Sequence, residues 1–511
     1  MSKPVTATSG LGHQMSPTDP DNPMNWPFLR RVYASMVATV FAFTVAFGLT
    51  SYTIGIPGVI TDFNVSMTLA IVPFSLYLVG IAFAPIYTPH LSERFGRSPI
   101  YLVSLPLCAL FILGASRSQS ITALSVCRFF AGFSGGPCLV LIEGTYADVW
   151  SSKYTVAYYS VLTLASYLGA ACGPVVCGYV FASTSWRWTQ YASLMVALAS
   201  FLLGIGMPET YPREIVRTRA RRAGRPHNLA AAQSGVTIPQ MAQITILTPM
   251  VMFVSEPIVI MSTLYVSFLF GTIFQWFISV PAVLGLVYGF TVQQASLAFT
   301  SAIAGSLFAA TTASLIEKLV IHFAARKRLS RTPEMLDIEY RLIPAMLGGV
   351  LMTASFFWIG WTAAPSVHYL SPILGTWIYV WGNMLTLISY ISYLFDAYPP
   401  AGTLSALTVA ASMRLLVAAA IPLCIIPMIT NLGGGKTFSV FGALSAALIA
   451  ITLILFSWGA KLRASSRYSN GHLNMVMVTG AVDEEAKVVR STGAAEDLEG
   501  RDVSGGDPSH A

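Results

Sequence analysis

Charge is scarce in this sequence of 511 residues: 10% are Asp, Glu, Lys or Arg, against 55% hydrophobic. A soluble globule usually carries about 25% charged residues, so this composition excludes one and points to a bilayer. Cysteine is sparse as well. All six (Cys108, Cys127, Cys138, Cys172, Cys177 and Cys424) fall in apolar stretches, without the spacing of a metal site and without a polar ectodomain to staple. They read as packing thiols, so neither a metal nor a disulfide framework is expected. A phosphate-binding loop of the Gly-x4-Gly-Lys-Ser/Thr kind is missing; Gly433-Gly434-Gly435-Lys436 is glycine-rich but lacks that pattern and its preceding strand. Transport driven directly by ATP is therefore not expected. No catalytic triad or metal cluster emerges, so the chain does not read as an enzyme and no cofactor is expected. The net charge of +7 is dispersed among loops rather than gathered on one polar domain, which argues against nucleic acid. Residues 1–27 are polar and hold no apolar core of signal-peptide length, so the first span is expected to act as the targeting signal.

What is present is a series of long apolar runs, each near the roughly 20 residues that span a hydrocarbon core. Six lie at 32–54, 68–87, 99–115, 121–146, 156–181 and 191–207, and six more at 258–285, 295–315, 343–363, 371–394, 404–429 and 438–460. The expected fold is all-α integral membrane, with about twelve transmembrane helices in two six-helix bundles. The domain layout follows: 1–31 a cytoplasmic N-terminal segment, 32–207 the first bundle, 208–256 a central cytoplasmic loop, 257–460 the second bundle, and 461–511 a disordered cytoplasmic tail with an acidic cluster at Asp483, Glu484 and Glu485. Positive charge is retained on the cytoplasmic side. With both termini inside, that side receives Arg30 and Arg31, Arg94 and Arg97, Lys153, the run from Arg213 to Arg225, Arg326 to Arg331, Arg341, and Lys461 to Arg467. The outer loops receive Arg117, Arg187 and Lys436. The sequon Asn64-Val65-Ser66 falls in the first outer loop, so Asn64 is a glycosylation candidate. The basic central run can sit against anionic lipid, and no obligate protein partner is inferred.

Between the second and third spans runs Pro89-His90-Leu91-Ser92-Glu93-Arg94-Phe95-Gly96-Arg97-Ser98. It resembles the signature of the major facilitator superfamily. Gly96 permits a tight turn, and Glu93 and Arg97 place opposite charges where helix ends meet. The resemblance implies a cytoplasmic gate of Glu93, Arg94, Gly96 and Arg97: Glu93 would hold the halves together near Thr403, and Arg97 would pair with Asp148 at the foot of the fourth span. Topology-setting charge is the alternative reading. In the fifth span, Gly169-Ala170-Ala171-Cys172-Gly173-Pro174-Val175-Val176-Cys177-Gly178 resembles the antiporter signature of the drug:proton branch. Gly169 and Gly173 share a helix face and admit a close neighbour, Pro174 favours a kink, and with Gly178 they suggest a surface sliding between the halves. Further stretches resemble fungal drug:proton antiporters: Asp19-Pro20-Asp21-Asn22-Pro23-Met24-Asn25-Trp26, Trp186-Arg187-Trp188, Pro208-Glu209-Thr210-Tyr211 and Ser255-Glu256-Pro257-Ile258. The likeness runs from about Asp19 to Ser466.

Three ionisable residues fall well inside spans, where a charge costs about 2.5–3.5 kcal/mol. Arg128 opens Arg128-Phe129-Phe130-Ala131-Gly132, which resembles the family sequence linked to proton transfer; snorkelling outward or holding a backbone carbonyl is the alternative. Glu143 lies 15 residues further along the same helix, too far to pair with it, and is the leading candidate for the proton-coupling carboxylate. A structural hydrogen bond is its alternative. Arg414 sits near mid-depth of the eleventh span, placed for an anionic substrate or a helix tie. Gln275, Trp276, Trp377, Trp381 and Tyr390 are candidates for a cavity suited to an aromatic cargo.

The expectation is thus a proton antiporter exporting a small amphipathic or aromatic compound by alternating access between the halves. A flat apolar or weakly anionic metabolite fits one intramembrane acid better than a polycation does. Polyamine export, nutrient import by proton symport and a membrane sensor that does not transport are the alternatives. The plasma membrane is the expected site, with a vacuolar or vesicular membrane as alternative.

Overall fold

The computed structural model describes residues 15, 19–150, 155–222, 247–327, 338–398 and 400–466; the side chains of 155, 321, 323–327 and 400–404 are outside that description. Lys153, Arg225, Arg326 to Arg331, Arg467 and the acidic tail cluster therefore lie outside the described residues or side chains. The described elements are all helices, joined by short turns. In chain order the helices are α1 (Phe28–Phe63), α2 (Met67–Ala82), α3 (Ala84–Phe95), α4 (Ser98–Ser116), α5 (Ile121–Val149), α6 (Thr155–Ser183), α7 (Trp186–Gly204) and α8 (Pro212–Arg222). There follow α9 (Thr248–Ser255), α10 (Pro257–Tyr288), α11 (Val292–Leu297), α12 (Thr300–Lys327), α13 (Ile343–Thr362), α14 (Leu370–Ala397), α15 (Pro400–Leu432) and α16 (Gly434–Ser465).

Among the described residues, ten helices are long and apolar enough to cross a membrane, or eleven if α2 and α3 form one span bent by 42°. The expectation of twelve is not met by that measure. The shortfall is α7, whose first turns carry Arg187 and Gln190. Helices also outrun the apolar windows, because backbone bonding continues past the hydrocarbon. α1 runs to Phe63, the signature around Glu93 belongs mostly to helix α3 rather than to a loop, and α16 reaches Ser465, five residues into the expected tail.

Local chemistry sets the ends. Ser66 and Ser120 accept hydrogen bonds from the first turns of α2 and α5, and Thr291 with Gln294 forms a capping box on α11. Gly96 has φ +83°, a left-handed turn between α3 and α4 that a side chain would strain.

Packing repeats along the chain. α1 lies on α6, α4 on α5 and α7, and α2 on α5; correspondingly α10 lies on α15, α13 on α14 and α16, and α12 on α14. The two sets meet where α2 packs on α15 and α6 on α12 and α11. The pairing places a seam between the sets through the middle of the protein, and the cavity described next lies along it.

Candidate functional site

A cavity of about 340 Å³ is lined by both sets of helices. Its walls are mainly apolar, with Leu78, Ile81, Phe270, Phe274, Phe277 and Leu387 among them, and it extends to Glu93, Arg97 and Tyr211 at one end of the protein. That end is called here the Arg97 end.

Two charges stand in the deep wall. Glu143, on α5, is half-buried and makes no hydrogen bond or ion pair with any described residue. Arg414, on α15, interacts with it electrostatically without an ion pair, and its guanidinium lies over the Phe270 ring at 4.6 Å. Its buried Nε has no hydrogen-bond partner among the described residues. A carboxylate and a guanidinium facing one enclosed space compensate each other at a distance while leaving their hydrogen-bonding atoms available. Tyr167 and Thr163, on α6, complete the polar part of the wall.

Arg128 is placed differently. It is fully buried outside the cavity wall, where its guanidinium donates to the carbonyls of Gly48 at 2.7 Å and Leu49 at 2.8 Å and to Gln190 Oε1 at 3.3 Å. Tyr52 and Tyr77 hold its two faces, at 4.9 and 4.6 Å. The structure separates it from Glu143 and Arg414 and ties it to the backbone of α1, the role read as the alternative in the sequence.

The Arg97 end is braced. Arg97 Nε lies 2.5 Å from Asp148 Oδ2, and its guanidinium fills the space that the missing side chain of Gly144 leaves. Glu209 accepts from the N–H groups of Arg97 (2.9 Å), Ser98 (3.1 Å) and Tyr211 (2.8 Å), so a carboxylate closes the positive end of α4. A side chain at Gly96 would run into that carboxylate. The second set repeats the device: Arg341, just before α13, pairs with Asp396 near the end of α14 at 2.8 Å and also with Glu317. Glu93 is exposed at the cavity mouth and makes no ion pair among the described residues. Arg94 contributes its carbonyl, which accepts from Arg217 of α8 at 3.0 Å.

This architecture and its doubled Arg–Asp brace are accompanied by a sequence match: the Major Facilitator Superfamily profile covers residues 38–422. The chain belongs to the Major Facilitator Superfamily. It is 27% identical to "Polyamine transporter 4" of Saccharomyces cerevisiae, over 93% of this chain and 77% of that protein. It is 28% identical to "Efflux pump FUBT" of Fusarium oxysporum, over 88% of this chain and 75% of that protein. Its fold resembles that of the proton:xylose symporter XylE, with TM-score 0.63 at 15% identity, covering 85% of this chain and 96% of the other. Membership makes the chain a membrane transporter without catalytic chemistry.

Within this facilitator several expected residues lie elsewhere. None of Gln275, Trp276, Trp377, Trp381 and Tyr390 lines the cavity. Trp276 stacks on Tyr379, Trp377 packs on Phe308, the Trp381 indole donates to Thr312 at 3.0 Å, and Tyr390 shares a hydrogen bond with Thr452 on α16; Gln275 is buried within α10 packing. These aromatics hold helices of the second set together, and Phe270, Phe274 and Phe277 supply the aromatic wall instead.

The α6 glycines divide as well. Gly169 and Gly173 press against the α1 backbone at Phe43 and Phe47, within the first set, and only Gly178 of the three reaches across, to Ser296 on α11. Pro174 lies inside α6 between them. At this opposite end Asp62 Oδ2 accepts from Trp186 Nε1 at 2.8 Å and from Arg187 at 2.6 Å, which accounts for the Trp186-Arg187 pair. Asn64 is exposed beside it, with φ 51°. Sequence reading missed Glu209, Gly144 and Tyr167. Glu209 stood in a noted stretch, but only the folded turn shows which N–H groups it serves.

Proposed function

We propose that this facilitator exports a small amphipathic or aromatic compound in exchange for protons, by alternating access of the cavity to the two sides. The observation that carries the reading is the unpaired Glu143 carboxylate in a wall shared with Arg414. Antiport requires that proton and cargo exclude one another, and a single carboxylate able to take a proton or a cargo donor group does this. The cargo then carries a hydrogen-bond donor or one positive charge on an otherwise apolar body, matching Phe270, Phe274 and Phe277. The name of the Fusarium relative supports the outward direction.

Arg414 favours a second reading. An anion bound to its free guanidinium and a proton bound to Glu143 favour each other, because each removes the charge that opposes the other. An anionic cargo would thus travel with the proton, as in symport, so a weakly anionic cargo fits import better than antiport. The Saccharomyces relative brings a polyamine into consideration. One deep carboxylate facing one guanidinium is poorly matched to a polycation.

In this reading α7 completes twelve spans in two six-helix bundles. Its packing on α4 and α1 mirrors that of α16 on α13 and α10 and supports the count. The Arg97 end is cytosolic, with both termini there and the Asn64 end outside, in the plasma membrane. Glu93, Arg94, Gly96, Arg97 and Asp148 form the cytosolic gate, and Arg128 positions α1 rather than carrying the proton.

The test is flux in reconstituted vesicles under an imposed proton gradient, with planar aromatic metabolites, azoles and spermine as cargoes and proton movement followed in parallel. Opposed proton and cargo movement that fails in Glu143→Gln is expected. Movement in the same direction would establish symport, and opposed movement unchanged in the variant would remove Glu143 from the mechanism.

A further inference from the structure

We infer that Tyr167 and Asn383 form a latch across the seam, holding the conformer closed at the Gly178 end, and that each transport cycle has to break it. This rests on the family's movement of two helix sets against each other. Tyr167, on α6 in the cavity wall, donates its hydroxyl to Asn383 Oδ1 on α14 at 2.6 Å. Asn383 is fully buried, and its amide nitrogen donates to the Leu269 carbonyl at 3.1 Å and to Tyr379 at 3.3 Å. Those bonds fix the amide orientation, since the nitrogen must face the carbonyl, and present Oδ1 toward the first set. The second set therefore offers a pre-aimed acceptor, and Tyr167 is its donor among the described residues.

The same helix carries the seal. Gly178 lies 11 residues beyond Tyr167, about 16 Å along α6, and meets Ser296 of the second set so closely that no side chain fits. The helix α6 thus joins the second set at two heights, by a hydrogen bond in the cavity wall and by a close-packed contact at its end, with Pro174 between them. The Arg97–Asp148 and Arg341–Asp396 braces differ, because each lies within one set. Separating the sets along α6 leaves Asn383 Oδ1 without its donor, and that cost falls only on the conformer in which the seam has opened.

Tyr167→Phe removes the hydroxyl and keeps the ring. Hydrogen–deuterium exchange of the full chain in lipid nanodiscs reads the result without any cargo. Exchange of residues 174–183 and 289–297 is expected to quicken about fivefold, the population shift that one net hydrogen bond supports, while exchange around 92–98 slows. A thermal unfolding midpoint measured alongside is expected to fall slightly, because one buried acceptor is left unmet. Unchanged exchange at 174–183, or equal acceleration at both ends, would overturn the latch. Because no cargo is needed, absence of proton-driven flux in the wild type would defeat the transport reading and leave the exchange pattern to decide the latch.

Discussion

Glu143 and Arg414 share one cavity wall without forming an ion pair. They come from opposite sides of the seam, so any movement of the two helix sets changes their separation. A contact pair would satisfy both groups and hold the seam shut, whereas groups held apart compensate charge and stay open to proton and cargo.

Charge compensation gives the first prediction. Arg414→Gln leaves Glu143 as a lone charge inside the protein, so its thermal midpoint should fall below that of the wild type. Adding Glu143→Gln should restore much of the loss, with an interaction energy of about 0.5–3 kcal/mol in the cycle, as for coupled neighbours. Simple additivity of the two changes would show that the residues do not sense one another.

Arg128 should behave as a structural residue. Arg128→Ala removes two hydrogen bonds from a charged donor to α1 carbonyls, of the kind that contribute about 1.5–3 kcal/mol each. Low yield and a lowered midpoint are expected, whereas proton coupling of the Arg128→Lys protein that does fold should resemble the wild type. A well-folded Lys variant that moved cargo without protons would return Arg128 to the coupling path.

Glu209 should matter to the Arg97 end although it touches no cargo. Glu209→Ala removes three hydrogen bonds to backbone N–H groups, of the charged kind that contribute about 1.5–3 kcal/mol each. Exchange of the amides of residues 96–98 should rise by at least tenfold, with Glu209→Gln intermediate. Unaltered exchange would mean that the turn is held by Gly96 and Ser98 alone.

What was legible in the sequence was what depends on composition and local spacing. Apolar runs gave the helices because every backbone group in lipid must be satisfied within its own segment, and the residues around Gly96 gave a turn because no other residue suits that φ. Residues such as Glu143 and Arg414 stood out because an ionisable group in an apolar run is rare whatever surrounds it. Direction was not legible. Trp276 and Phe274 lie two residues apart on α10, yet one faces Tyr379 and the other the cavity. Uniformly apolar helices give no stripe to tell these faces apart, so the aromatics named from the sequence are not the ones that line this cavity. Tyr167 failed to stand out for the same reason, one tyrosine among 22.

The N-terminal stretch should form a charge clamp with α8. Arg219 reaches Asp19 at 2.9 and 3.0 Å and also pairs with Asp21, while Trp26 folds back to donate to the Asp21 carbonyl at 3.2 Å. Hydrogen bonds from the Arg219 side chain and then from the Asp21 backbone hold the Asp19 carboxyl below its ordinary range. A depressed folded-state value means that the clamp is complete above the ordinary Asp pKa of about 3.9, and lost only as pH falls through the depressed one. A nitroxide at Met24→Cys should keep constant mobility from neutral pH down to that range and gain mobility below it. Asp19→Asn should be mobile throughout, and high salt should loosen the wild type because the pair is exposed. Mobility that rises already near neutral pH would show that Asp19 does not hold the segment.

Gly178 gives the sharpest conformational prediction, because its substitution acts on one state of the transporter. In the structure a side chain there would occupy the position of Ser296, and both residues sit on helices that belong to different sets. Gly178→Leu therefore costs nothing while the seam is open at that end and forbids the closed contact. Overpacking of this kind costs about 1–3 kcal/mol, which changes a two-state population by roughly 5- to 150-fold. The variant should fold and reach the membrane, with exchange quickened at 289–297 and slowed at 92–98, and it should bind cargo from the Asn64 side while failing to turn over. Ser296→Gly in the Gly178→Ala background should return part of the flux, since it vacates the space that the added methyl needs. Gly178→Leu with wild-type flux would show that α6 and α11 separate too little during transport for this contact to act as a seal.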